Sequence, residues 1–258
     1  MSRYDIQQKI MDSKVMIIGT GTIGASMVMN LATYGISKFI LVDDDVVDKS
    51  NLRRQPHFDF SDIGVYKVDA LKKKIKFRNE NTVVVGLKEK IKSYHRLLDI
   101  SNIYPDIDII IFAGDSGNMQ RIIKNDKATL EYSLTRLADE KNIPISFTGG
   151  YVGHTGRIFP LYIPGKSHKL QCVLKQITQE ESSYEGYEPL GNNNFILSST
   201  TEMAGNVANV ASFEIIKYLS SVMPIYLINK VMYLEYSSYQ ADVLECAVTT
   251  CNCSMQLV

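Results

Sequence analysis

The apolar run Val15 to Ile18 leads straight into Gly19-Thr20-Gly21-Thr22-Ile23-Gly24, after which Met27, Leu31 and Tyr34 recur at helical spacing. A strand that turns into a helix through glycines lets the backbone approach a phosphate closely. The new helix aims its unpaired amides and the positive end of its dipole at the same anion. This turn therefore predicts a parallel α/β sheet with a nucleotide at its crest. The pattern alone is also compatible with a tight strand-to-helix turn that holds no ligand, though a nucleotide is the first reading.

The second apolar strand, Phe39 to Val42, ends in Asp43-Asp44-Asp45. Asp43 follows the glycine turn by about 20 residues, where an acidic side chain holds a ribose hydroxyl. To this point an NAD-dependent oxidoreductase fits as well. Ser50-Asn51-Leu52-Arg53-Arg54-Gln55 changes the reading. Transfer of a nucleotidyl group needs cations around the phosphates and carboxylates that help to hold a metal, and hydride transfer needs neither. Asp44 and Arg53 are assigned to a solvated charged loop.

GTGTIG, LVDDDVV and SNLRRQ together resemble the adenylation core of the ubiquitin-activating enzyme superfamily. The likeness is to its bacterial branch, the ThiF, MoeB and MccB type adenylyltransferases of thiamine, molybdopterin and microcin C biosynthesis. It runs from Arg3 to about Cys253 and implies an α/β fold, a Rossmann-like, mostly parallel sheet with helices on both faces. Antiparallel strands extend that sheet in the C-terminal part. A single adenylation domain over residues 1–258 is implied, with a nucleotide-binding half (1–150) and a substrate-binding half (151–258). The resemblance also implies ATP and Mg2+. Gly19, Gly21, Thr22 and Gly24 are expected under the nucleotide and Asp43 at the ribose. Asn51, Arg54 and Lys67 are expected at the phosphates, with Asp45 and Gln55 supporting the site. Asp115 is expected to hold magnesium.

Along the chain, residues 2–11 predict an amphipathic helix with Tyr4, Ile6, Ile10 and Met11 as its apolar side. Ser61 or Asp62 predicts the N-cap of a helix carrying Val65, Val68, Leu71 and Ile75, with the lysines at 72–74 on a solvated face. Thr82 to Val85 predicts a third strand, Tyr94 to Ile100 a short helix and Ile107 to Ala113 a fourth strand. That strand delivers Asp115 to the carboxyl ends of the sheet, beside Gly19 and Asp43; the alternative for Asp115 is a helix cap. A long helical pattern covers 119–141, Ile145 to Phe147 predicts a fifth strand, and 151–166 predicts antiparallel strands. Residues 176–194 lack periodicity, and the resemblance makes them a crossover loop that guides the substrate's C-terminal tail. Thr200 or Thr201 predicts the cap of a helix with Met203, Val207, Val210, Ile215 and Leu219 on its core side. Edge strands are expected from Tyr226 to Tyr236 and in the tail.

Lysine plus arginine and aspartate plus glutamate each total 28, so no nucleic-acid footprint or membrane-surface patch is implied. The polar N-terminus predicts neither a signal peptide nor a membrane span, and a cytoplasmic protein is expected. Cys172, Cys246, Cys251 and Cys253 lack the paired C-x-x-C spacing of a structural zinc site, so zinc is disfavoured and buried thiols are expected. His57, His95, His154 and His168 share no motif and are read as surface or packing residues.

The expected chemistry is activation of a carboxylate as an acyl-adenylate with release of pyrophosphate, which needs alignment and charge stabilisation but no side-chain nucleophile. Likeness to the microcin C enzymes at Gly150-Tyr151-Val152 and Pro160 to Lys166 implies the C-terminal carboxylate of a peptide as substrate. A ubiquitin-like sulfur carrier is the alternative within the same chemistry, and a catalytically silent subunit is disfavoured by Asp43, Arg54, Lys67 and Asp115 occurring together. The family implies a homodimer in which an arginine crosses to the neighbouring subunit. Ile6 stands at that arginine's position, leaving Arg3 as its candidate replacement.

Overall fold

A computed structural model describes residues 2–115, 119–152, 155–181, 200–236 and 238–246. Ser2 caps the first helix, α1 (Arg3–Asp12), by accepting from the Asp5 N–H. Its expected apolar side is only half used: Ile10 is buried and Ile6 packs partly, whereas Tyr4 is 76 % exposed. The apolar run becomes β1 (Lys14–Ile18), and the glycine turn opens α2 (Thr22–Tyr34). β2 (Lys38–Val42) then pairs in parallel with β1, Val15 opposite Phe39 and Ile18 opposite Val42.

The helix after Gln55 begins later than Ser61 or Asp62. Asp59 caps a single 3-10 turn, Phe60–Asp62, and the helix proper, α3 (Lys67–Arg78), keeps Val68, Leu71 and Ile75 on its core side while Val65 lies outside it. β3 (Val83–Leu87), α4 (Tyr94–Ile103) and β4 (Ile109–Phe112) follow. The helical stretch expected over 119–141 is two helices, α5 (Met119–Ile123) and α6 (Leu130–Lys141). Asn125 enters the left-handed region (φ 56°), and Thr129 starts α6 afresh by capping the Tyr132 N–H.

The chain continues through β5 (Ile145–Phe147), β6 (Gly150–Val152), β7 (Thr155–Ile158) and β8 (Leu161–Tyr162). α7 (Leu170–Glu181) makes residues 176–181 helical rather than the start of a loop, and the rest of the expected crossover loop, 182–194, lies outside the described residues. Thr200 caps α8 (Thr201–Ser220), and β9 (Lys230–Glu235) and β10 (Gln240–Glu245) complete the fold.

The main sheet has the order β3-β2-β1-β4-β5-β8, parallel except for β8. The second is antiparallel, ordered β10-β9-β7-β6. Alternation along β1 sends Val15 and Ile17 to one core, and Met16 and Ile18 to the other. Because both faces are covered, β1, β2 and β4 carry near-continuous apolar runs. The first core includes Ala25 and Leu31 of α2, Leu71 of α3, and Ala208, Ala211 and Ile215 of α8. α8 lies along α2, and Asn30 donates to Asn209 across them (2.9 Å). The opposite core includes Leu97, Leu134 and Val173 from α4, α6 and α7. Among the described residues no helix is long and apolar enough to cross a membrane.

Candidate active site

In the main sheet, β2 and β3 extend from one side of β1 while β4 and β5 extend from the other, which places the switch point between β1 and β4. The glycine turn stands there. Gly19 leaves β1 with φ 90°, and a Cβ on it would lie 2.5 Å from the Gly114 nitrogen at the end of β4. A Cβ on Gly24 would lie 2.0 Å from the Gly19 carbonyl oxygen, so α2 starts pressed against the turn. Gly21 faces open space.

Asp43 ties the end of β2 to this turn. Its Oδ2 accepts from the Thr20 N–H (2.6 Å) and hydroxyl (2.8 Å), and its Oδ1 accepts from the Asp45 N–H (2.9 Å). Val46 and Tyr66 form an isolated antiparallel bridge, and the Lys67 N–H donates to the Asp45 carbonyl (3.0 Å). That pairing brings Lys67 Nζ within 2.6 Å of Asp45 Oδ2. Lys67 is buried, at 5 % exposure, while the Asp45 side chain remains largely open.

Asn51 winds the next segment. Its carbonyl accepts from the N–H groups of both Arg54 (3.0 Å) and Gln55 (2.8 Å), and its side-chain oxygen caps the Asp48 N–H (3.1 Å). Arg54 and Gln55 thereby turn toward a cleft of about 440 Å3, also lined by Gly21, Thr22, Asp45, Lys67 and Asp115. Gly149, Gly150 and Tyr151 line it as well. A smaller cavity of about 220 Å3 holds Gly19 and Asp43, with Lys90, Ile91, Phe112 and Leu130 around them. The two cavities share Asp45, Gly114 and Asp115 as a common rim. Gly24 and Asn51 line neither; they shape the turns that carry the others.

The charged groups divide into committed and uncommitted. Lys67 and Asp45 hold each other, whereas among the described residues the Arg54 guanidinium and the Asp115 carboxylate make no hydrogen bond or ion pair. Carboxylate oxygens of Asp43, Asp44 and Asp45 lie within 4.8 Å of one another. Two of those three already serve Thr20 and Lys67, so Asp115 is the better ligand for a hard cation, which favours carboxylate oxygens. His57 lies behind α2, 3.1 Å from the Ser26 hydroxyl, where burial, with Arg78 and Lys74 nearby, pushes its pKa down. Cys172 and Cys246 are buried and form no disulfide among the described residues, while Cys251, Cys253 and His154 lie outside them.

Lys90, Ile91, Leu130 and Tyr151 were not singled out from sequence as site residues. The rule that ligands gather at strand ends reaches Lys90 and Ile91, which follow β3. Leu130 and Tyr151 carry no such signal.

The ThiF family pattern matches residues 2–255. The chain belongs to the ThiF family. Within it, this chain is 35% identical over 125 residues to the adenylyltransferase and sulfurtransferase UBA4 of Eremothecium gossypii, a match covering 47% of this chain and 26% of that protein. It is 28% identical over 170 residues to the sulfur carrier protein ThiS adenylyltransferase of Bacillus subtilis, covering 65% and 46%. The chain thus spans about a quarter of the UBA4 protein and under half of the Bacillus one. Among solved structures, Escherichia coli MccB with ATP matches 93% of this chain and 66% of its own at a TM-score of 0.71 and 23% identity. PaaA matches 94% and 76% at a TM-score of 0.73 and 23% identity. These structural matches establish the ThiF-type fold.

Proposed function

We propose that this chain is an ATP-dependent adenylyltransferase that activates the C-terminal carboxylate of a ubiquitin-like sulfur carrier. The observation that carries the reading is the pair of adjoining cavities with a common acidic rim, one bearing Asp43 and apolar walls, the other bearing Arg54 and Lys67. The nucleoside belongs in the smaller cavity, with its ribose at Asp43 and its base against Ile91 and Leu130. The triphosphate crosses the rim into the larger one.

A carboxylate oxygen of the acyl substrate forms a bond to the α-phosphorus. The bond from that phosphorus to the bridging oxygen breaks, and the electron pair leaves on pyrophosphate. Arg54 offers an uncommitted cation to the charge that builds on the phosphate oxygens, and Lys67 offers a second once phosphate competes with Asp45 for its ammonium. Asp115 would hold Mg2+, which when bound would supply charge neutralisation at the phosphates. The names of the relatives, which include a sulfur carrier protein adenylyltransferase, favour the carrier over the short peptide expected from residues 150–166. A dehydrogenase would leave Arg54 and Lys67 without a task, and membership of the ThiF family speaks against it.

A homodimer is part of the proposal. α1 packs on α8, and Gln7 bonds the Tyr34 carbonyl at the C-terminal end of α2. The glycine turn is at the other end of α2, roughly 20 Å away at 1.5 Å per residue, so any contact of Arg3 with phosphate is made in a partner's site. ATP–pyrophosphate exchange with a panel of carriers and peptides tests the activity. Arg54→Ala and Asp115→Ala are each expected to cost about 10²-fold, the scale of one lost electrostatic contact in the transition state. Full exchange in both variants removes these roles.

A further inference from the structure

Lys67 is a cation of the larger cleft that the protein itself already answers. Its Nζ lies 2.6 Å from Asp45 Oδ2, and the two ends of the pair differ in exposure: the lysine side chain is 6 % exposed and the aspartate 64 %. A buried ammonium is costly without a partner, and Asp45 supplies it. The carboxylate remains largely open and lines both cavities. Its charge therefore stands beside the path that a triphosphate takes over the common rim.

The surroundings do not offset that charge. Glu89 is paired with Arg96 (2.6 Å), which leaves the aspartates at 43–45 and Asp115 as the acids lining the two cavities, against Arg54, Lys67 and Lys90. The start of α2 adds about half a positive charge. For a polyanion such as ATP this is a nearly neutral site, not a strongly basic one. Among its acids Asp45 is the one set against the phosphates. Asp43 is bonded to Thr20 and belongs with the ribose, Asp44 lines the smaller cavity and not the larger, and Asp115 is the uncommitted ligand for a hard cation.

Resting on the adenylation reading, we infer that Asp45 is a specificity-determining residue for the metal state of the nucleotide: by occupying Lys67 and repelling phosphate, it makes the site select metal-bound ATP over free ATP. Free ATP meets a lysine whose charge is already cancelled and a carboxylate that opposes it. A nucleotide with a divalent cation on its phosphates has that opposition offset. One such charge, a few ångströms away at a protein surface, is worth about tenfold in affinity.

The test is titration calorimetry of ATP without acyl substrate, in Mg2+ and in EDTA. The wild type is expected to bind at least about tenfold more tightly in Mg2+. Asp45→Asn keeps the shape of the side chain and an oxygen for Lys67. It is expected to bind ATP in EDTA about tenfold more tightly than the wild type, and ATP in Mg2+ within about threefold of it. Damage to the fold weakens binding, so a gain separates this role from a structural one. Asp44→Asn, a neighbouring acid without the lysine, should change the EDTA value by less than about threefold. Equal affinities in Mg2+ and EDTA for the wild type overturn the inference, and that measurement needs no variant to fold. It is also overturned if Asp45→Asn fails to gain in EDTA, if Asp44→Asn gains as much, or if Asp45→Asn loses in Mg2+ alone, which would make Asp45 a metal ligand. Absence of ATP binding under both conditions is a different result, which removes the adenylation reading together with the inference.

Discussion

Two glycine bends line the candidate site, and they are built alike. At the first, Gly19 and Gly24 are demanded by the fold: one takes φ 90°, and a Cβ on the other would lie 2.0 Å from a backbone oxygen. At the second, Gly149 takes φ 84° and a Cβ there would lie 2.0 Å from the Arg157 carbonyl oxygen. Each bend also contains a glycine that crowds nothing, Gly21 in one and Gly150 in the other, and both of these line the larger cleft. Glycine thus does two jobs in this chain. Some positions let the backbone close on itself, and others hold back a side chain so that a ligand can lie there.

That comparison breaks most readily through stability. Gly24→Ala and Gly149→Ala are each expected to cost about 3 kcal/mol or more, because the new methyl meets backbone that cannot move aside. Chemical denaturation measures this, and an unchanged midpoint for either would show that the bend relaxes. A smaller effect, on ligands alone, is expected from filling the open positions. Gly21→Val should raise KM for ATP and Gly150→Val KM for the acyl substrate, each about tenfold with little change in unfolding midpoint. If both variants raise the same KM, the two bends do not serve separate ligands.

The smallest effect probes what lies behind the first bend. The folded state holds the His57 pKa below its ordinary 6.5, so it binds fewer protons than the unfolded chain. The stability this provides is present above about pH 6.5 and is lost as pH falls toward the folded value. Acidification from about pH 7 to about pH 5.5 should therefore lower the thermal midpoint of the wild type more than that of His57→Gln. Equal slopes would mean that the histidine does not couple the bend to pH.

Much of the nucleotide half is legible in the sequence because burial on both sheet faces leaves no polar position in Val15 to Ile18 or Ile109 to Phe112. The strand-end rule likewise reaches Asp115 from sequence alone. The break within 119–141 is not legible, since Ile122, Leu134 and Leu137 are buried in one core with Leu130 packed against it, and only the left-handed Asn125 marks the change of direction. The start of α3 is misread because Asp59, Ser61 and Asp62 are good caps that close a single 3-10 turn. The Lys67–Asp45 pair has no sequence signal, since an isolated bridge between Val46 and Tyr66 creates it.

The helix that follows Thr200 bears on how such a chain can change its substrate. Ala208, Ala211 and Ile215 share one core with Ala25 and Leu31 beneath the glycine turn, so the later half braces the earlier one. Neither half is a detachable cassette. A graft that replaces everything after residue 150 has to bring a helix with small side chains in the same row, whereas exchanges confined to the connections leave the brace standing.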